Sequence, residues 1–132
     1  MSEKRSVVLV VDDDAAVRDS LRFFLEQEGL ELRLYPDGDA LLKERNLPSE
    51  GCLVIDFYML GMNGVDLVAR LRNKGVELPA ILITGAATPK MRTMAKRAGI
   101  LAVLEKPLQD SALLDNIRAA LSGARNDMSR EA

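Results

Sequence analysis

Carboxylates at the ends of apolar runs are the residues of this sequence best suited to chemistry. Asp12, Asp13 and Asp14 follow directly on Val7-Val8-Leu9-Val10-Val11, and Asp56 follows Cys52-Leu53-Val54-Ile55. Two further apolar runs also close on polar groups, one on Thr84-Gly85 and the other on Lys106-Pro107. Any single Asp reads most simply as a helix cap or a solvated charge, Thr84 alone as a strand-end hydroxyl, and Lys106 alone as a surface lysine. The group reads differently. Packed carboxylates repel one another, and a divalent cation is the most direct compensation. A carboxylate pair joined by Asp56 suits a hard cation such as Mg²⁺, which prefers oxygen ligands and keeps some of its waters. Thr84 adds a hydroxyl, Lys106 a positive charge, and Gly85 a place of close backbone approach. That set would stabilise a transferred phosphoryl group, a reaction that depends mainly on positioning and charge neutralisation. Asp56 is then the nucleophile.

For these residues to meet, the apolar runs must be neighbouring strands that end at one edge. Short runs at Val7–Val11, Leu32–Tyr35, Leu53–Ile55, Ala80–Ile83 and Leu101–Leu104 alternate with segments of helical period. Continuous rather than alternating hydrophobicity fits strands buried on both faces, as in a parallel sheet. The first helical segment carries Val17, Leu21, Phe24 and Leu25 and closes at Gly29. Asp37 caps a second, with Leu41 and Leu42, that ends before Pro48. Asn63, with Asp66 three residues on, opens a third carrying Val65, Val68 and Leu71, with Gly75 past its end. Thr88-Pro89 opens a fourth that stops at Gly99. Asp110 or Ser111 opens the last, striped by Leu113, Leu114, Ile117 and Leu121, with Gly123 as its expected stop. Five βα units with right-handed crossovers give an α/β fold with helices on both faces of a parallel sheet. Ligands bind at the C-terminal edge of such sheets, where the polar groups gather.

Composition bounds the remaining possibilities. A chain of 132 residues, 48% hydrophobic and 29% charged, is one globular domain with a sizeable core. The net charge of −2, without a Lys or Arg run, argues against direct nucleic-acid binding. Histidine is absent, which excludes His-based acid/base catalysis, His metal ligation and a phosphohistidine in this sequence. The single cysteine, Cys52, lies in an apolar run and reads as a small core residue in a reducing compartment, hence a cytoplasmic location. No apolar stretch is long enough to span a bilayer, and Met1-Ser2-Glu3-Lys4-Arg5 is not followed by a signal-peptide core. Residues 6–122 are expected to form the domain, and 123–132 a polar tail or linker.

Val10-Val11-Asp12-Asp13-Asp14, Asp56-Phe57-Tyr58-Met59 with Gly64, Ile83-Thr84-Gly85 and Glu105-Lys106-Pro107 resemble, in order and spacing, the receiver domain of two-component response regulators, most like the nitrogen-fixation regulator type. The resemblance implies a flavodoxin-like (βα)5 doubly wound sheet with strand order 2-1-3-4-5. It implies that Asp56 accepts a phosphoryl group from a sensor histidine kinase or a phosphotransfer protein. Asp12 and Asp13 would be the acidic pair for Mg²⁺, Asp13 the direct ligand, with Asp56 and the Tyr58 carbonyl completing the set. Thr84 and Lys106 would contact the phosphoryl group, while Asp14 caps a helix. Such a domain is not a conventional enzyme, but Mg²⁺-dependent self-phosphorylation and self-dephosphorylation are expected. Output, as a dimer or effector contact, would run through the fourth helix, fifth strand and fifth helix.

Departures from the family pattern fall around the switch. Leu60 stands where proline is usual and Gly61 follows, so the loop loses a fixed φ and gains a glycine. Val103 stands where Tyr, Phe or His is usual and is too short to swing as a ring. Tyr58 and Ala86 flank the site, and Ala86 has no polar group to orient water. A haloacid-dehalogenase-type phosphatase, with Asp12 as nucleophile and Asp14 as acid/base, is a second reading, but no strand-end acidic pair follows Lys106. A third is a degenerate receiver that binds partners without phosphorylation.

Overall fold

The computed structural model describes the backbone of residues 7–131 and the side chains of residues 7–122. The expected polar N-terminus, Ser6 at the expected domain start, and Ala132 lie outside the described residues. Elements alternate as β1 (Val7–Val11), α1 (Ala15–Gln27), β2 (Glu31–Tyr35), α2 (Gly38–Leu42), β3 (Cys52–Asp56), α3 (Gly64–Asn73), β4 (Ala80–Thr84), α4 (Pro89–Arg97), β5 (Ala102–Glu105) and α5 (Asp110–Glu131). All strand pairs are parallel, and the order across the sheet is β2-β1-β3-β4-β5.

The continuous apolar runs are explained by a sheet covered on both sides. Side chains alternate across a strand. Leu9, Val11, Leu53, Ile55 and Leu82 therefore join Leu41, Leu67, Leu71 and Met91 in one core layer, under α2, α3 and α4. Val8, Val10, Val54, Ile81 and Ile83 join Leu21, Leu25, Leu113 and Ile117 in the other, under α1 and α5. Cys52 is fully buried in this second layer. Every residue of β1, β3 and β4 is buried, whereas β5, at the edge, is half-buried.

Side chains expected to open helices do so. Asp14, Asp37, Asn63 and Thr88 each accept a hydrogen bond from a backbone N–H in the first turn of α1, α2, α3 and α4. Gly29, Gly75 and Gly99 follow α1, α3 and α4 with φ of 84°, 85° and 78°. Gly123 is the exception: α5 continues through it to Glu131, so it is not the stop, and residues 123–131 extend the helix rather than leave it. A glycine inside a helix costs only about 1 kcal/mol relative to alanine, and no proline follows to enforce an end. The fifth strand also starts one residue later than expected, leaving Leu101 outside it and 59% exposed. No helix among the described residues is long and apolar enough to cross a membrane.

Candidate functional site

Because β1 and β3 are adjacent and in register from Val8–Cys52 to Val11–Ile55, Asp12 and Asp56 emerge side by side at the same sheet edge. Carboxylate oxygens of Asp12, Asp13 and Asp56 lie within 4.8 Å of one another. Their environments differ sharply. Asp12 is wholly buried and Asp56 is 5% exposed, whereas Asp13 is exposed. Asp12 is held on several sides. Its N–H donates to the Tyr35 carbonyl, its carbonyl accepts from the Arg18 guanidinium at 2.6 Å, and its Oδ1 accepts from the Asp14 N–H at 2.9 Å. Its Oδ2 is buried without a hydrogen bond. A buried carboxylate oxygen without a hydrogen bond is costly, and Asp12 shares this edge with two other carboxylates. The donor set is all oxygen, it is anionic, and one of its atoms is orphaned, so it fits a hard divalent cation such as Mg²⁺.

Lys106 supplies the opposing charge. Its Nζ lies 3.6 Å from both Asp12 Oδ2 and Asp56 Oδ1, an ion-pair distance beyond good hydrogen bonding. It does not outweigh burial and the neighbouring carboxylates taken together. Burial first, then the Asp12 and Asp13 charges, push the Asp56 carboxyl up to about 6, against the opposing pull of Lys106. A buried carboxylate poised near neutrality beside a cation is the signature of a functional group more than of a structural one.

Thr84 ends β4 and is fully buried, next to β3 at the same edge. Its hydroxyl is committed to the following turn, donating to the Ala86 carbonyl and accepting from the Ala86 N–H, each at 3.2 Å. The structure therefore joins Asp12, Asp13, Asp56 and Lys106, and leaves the Thr84 hydroxyl engaged elsewhere. Tyr58, two residues past β3, is 55% exposed, its ring packed edge-on against Phe57 with ring centroids 4.8 Å apart. Leu60, in the same loop, is 85% exposed beside Gly61, which takes a φ of 90°. Asp14 donates its N–H to Asp12 and spends its carboxylate on the N–H groups of Ala16 and Val17. It is a cap, which deprives the phosphatase reading of its acid/base.

Three contributors were not singled out in the sequence for what they do. Arg18 grips the Asp12 carbonyl, a tertiary contact without a motif. Gly64 belongs to the receiver-like motif for a steric reason visible only here: a Cβ on it would lie 2.8 Å from the Asp56 carbonyl oxygen and 2.7 Å from Leu82. Glu105 accepts from the Ala87 N–H at 3.1 Å, linking the end of β5 to the segment that follows Thr84. Beside the site, a cavity of about 320 Å³ is lined by Val17, Ser20, Leu21 and Phe24 of α1 together with Lys106 and Leu108.

The sequence profile described as the response regulator receiver domain matches residues 8–118. The transcriptional regulatory protein FixJ of Bradyrhizobium diazoefficiens is 34% identical over 125 residues, covering 95% of this chain and 61% of FixJ. The response regulator protein TodT of Pseudomonas putida is 34% identical over 121 residues, covering 92% of this chain and 53% of TodT. The chain thus spans between half and two thirds of the length of these relatives. Among solved structures, FixJ-N superimposes with a TM-score of 0.79 at 32% identity, covering 91% of this chain and 96% of that one. A CheY-like receiver domain from Methanospirillum hungatei superimposes with a TM-score of 0.85 at 26% identity, covering 94% and 99%.

Proposed function

The chain belongs to the receiver domain family of two-component response regulators, and on that premise we propose that it takes a phosphoryl group onto Asp56 from a phosphohistidine of a sensor kinase or phosphotransfer protein in the cytoplasm. The observation that carries this reading is the Asp56 carboxyl itself: nearly buried, raised to about 6, and 3.6 Å from Lys106. At neutral pH it is largely ionised and therefore nucleophilic, yet poorly compensated in the free protein. An Asp56 oxygen attacks phosphorus. As the O–P bond forms, the N–P bond of the donor breaks and its electron pair returns to the imidazole nitrogen. The donor histidine must belong to another domain or protein, since this sequence has none.

Asp12, Asp13 and Asp56, with the Tyr58 carbonyl, would hold Mg²⁺. Bound there, the ion supplies positive charge to the phosphoryl oxygens. Lys106 stays within reach of Asp56 and adds a second positive charge, and Thr84 joins once its hydroxyl leaves Ala86. The apolar cavity between α1 and Leu108 opens beside Lys106 and offers the donor protein a surface next to the chemistry. Arrival of the phosphoryl group then shifts the balance between two conformations.

Incubation with acetyl phosphate and Mg²⁺ tests the reading. Intact-mass measurement should register one added phosphoryl group that is removed by hydroxylamine and absent from Asp56→Asn. A label mapped to Asp12 would restore the phosphatase reading. An unlabelled wild-type protein would leave only a binding module.

A further inference from the structure

We propose that Glu105 is a positioning residue for this site: it holds the segment between β4 and α4 where the Thr84 hydroxyl stays committed to Ala86, and it must release that segment before Thr84 can serve a phosphoryl group. The inference rests on the reading of Asp56 and Thr84 given above.

A threonine hydroxyl has one proton to donate. Here that proton goes to the Ala86 carbonyl, and the same oxygen receives the Ala86 N–H. To donate to a phosphoryl oxygen on Asp56, Thr84 must give up the first of these bonds, and a shift of the backbone at Ala86 releases both at once. The next residue, Ala87, is the one tied down, its N–H donating to Glu105 Oε2 at 3.1 Å across 18 residues of sequence. Beyond it Thr88 is fixed as the cap of α4, its hydroxyl accepting from the Met91 N–H at 3.1 Å. Residues 85–88 are thus pinned by two local contacts and by one that reaches over from a different strand.

The strand that sends this contact is already coupled to Thr84. Thr84 and Glu105 are partners in the β4–β5 register, and the Lys106 N–H donates to the Thr84 carbonyl at 2.8 Å. Glu105 and Val103 lie two apart on β5 and so share a face of the sheet. Val103 packs into the core layer under α2, α3 and α4. On this face a polar side chain at 105 thus links β5 to the segment after Thr84, where the short side chain at 103 offers no ring. A charge-assisted bond from a carboxylate to a backbone N–H is directional and stronger than a neutral one. Lost contacts here bias the segment toward movement.

The full chain can be tested as it stands, with beryllium fluoride and Mg²⁺ as the probe. Glu105→Ala should bind beryllium fluoride about three- to ten-fold more tightly than wild type, the size of one net hydrogen bond. Glu105→Gln, which keeps an acceptor without the charge, should fall between. Amide exchange supplies a readout that a merely structural role would not move. The Ala87 N–H should be protected in the free wild-type protein, should lose protection when beryllium fluoride is added, and should lack it from the start in Glu105→Ala. Unchanged or weaker binding in Glu105→Ala, or an Ala87 N–H that stays protected with the probe bound, would overturn the role of Glu105 alone. A wild-type protein with no shifts around Asp56 on adding the probe would instead remove the reading of the site, and the role of Glu105 with it.

Discussion

The ends of β1 and β3 and the ends of β4 and β5 feed one site, yet they are built on opposite principles. Asp12 and Asp56 stand on strands buried along their whole length, and Asp12 is gripped by Tyr35, Arg18 and Asp14. Its neighbours cannot relax away from the charge they crowd together. On the other side β4 is just as buried, but β5 is half-buried, and the residues that follow the buried Thr84 are arranged by hydrogen bonds at the rim. Close-packed cores resist displacement, whereas exposed backbone bonds open at low cost. The acidic corner therefore stores electrostatic strain in a fixed geometry, and the β4–β5 side is free to answer when that strain is relieved.

The contrast breaks most decisively at Asp13. This carboxylate is exposed, so its removal leaves the core untouched while taking one of the oxygens that lie within 4.8 Å of the others. Asp13→Ala should lower Mg²⁺ affinity by roughly 100-fold, the upper end of what even an outer-shell partner is worth. Calorimetric titration with Mg²⁺ measures it. Equal affinity in the two proteins would mean that the acidic corner is not a metal site.

A second experiment measures the strain itself. The Asp56 carboxyl is raised from 3.8 to about 6 by burial and by Asp12 and Asp13. Well below 3.8 it is protonated whether the chain is folded or not, and contributes nothing to pH dependence. Between about pH 4 and 6 the folded chain retains a proton that the unfolded chain has released, so stability falls as pH rises. Above about 6 both states are ionised and the folded state carries the whole penalty, on the order of 2–3 kcal/mol at 1.36 kcal/mol per unit. In EDTA, urea unfolding should find the gap between Asp56→Asn and wild type smallest at the acid end, well below the unfolded value of 3.8, and wider by about that amount at pH 7. A gap that stays constant with pH would mean that the corner is not strained by charge.

How much of this could be read from the sequence follows the same division. Strands buried on both faces announce themselves as unbroken apolar runs, so β1, β3 and β4 and the residues at their ends were legible, as were the caps at Asp14, Asp37, Asn63 and Thr88. The half-buried edge strand was placed one residue early at Leu101, because partial burial weakens the pattern that locates it. Gly123 misled because a glycine stops a helix only when the chain has somewhere else to go. Within the site, sequence brought Asp12, Asp13, Asp56 and Lys106 to one edge and set Asp13 apart as the direct ligand, but it did not show how differently Asp12 and Asp13 are buried. One is buried and the other exposed, and the contacts that hold Asp12, from the Tyr35 carbonyl on β2 and the Arg18 guanidinium on α1, carry no motif. The Thr84 hydroxyl was expected to face the phosphoryl group. Its bonds to Ala86, and the Glu105 contact with Ala87, are loop geometry that no residue pattern encodes.

The smallest expected effect lies at Val103, on the movable side. A ring at this position in the resembled family swings inward as the threonine moves, which carries the change from the site to the α4–β5–α5 face. Val103 is half-buried and already packed against the core under α2, α3 and α4, and its short side chain has no ring to swing inward. Beryllium fluoride should therefore shift the amides of residues 57–61 and 84–88 more than those along α4, β5 and α5. Val103→Tyr should raise the response of that face, and at a position open on one side it should change stability by no more than about 1 kcal/mol, because the ring can lean outward instead of overpacking the core. Amide shifts recorded with and without the probe in both proteins make the comparison. If the wild-type face responds as strongly as the site loops, coupling does not need a ring and the fixed-versus-movable contrast fails on its movable side. If only the tyrosine variant responds, the short side chain at 103 is what keeps the two regions apart.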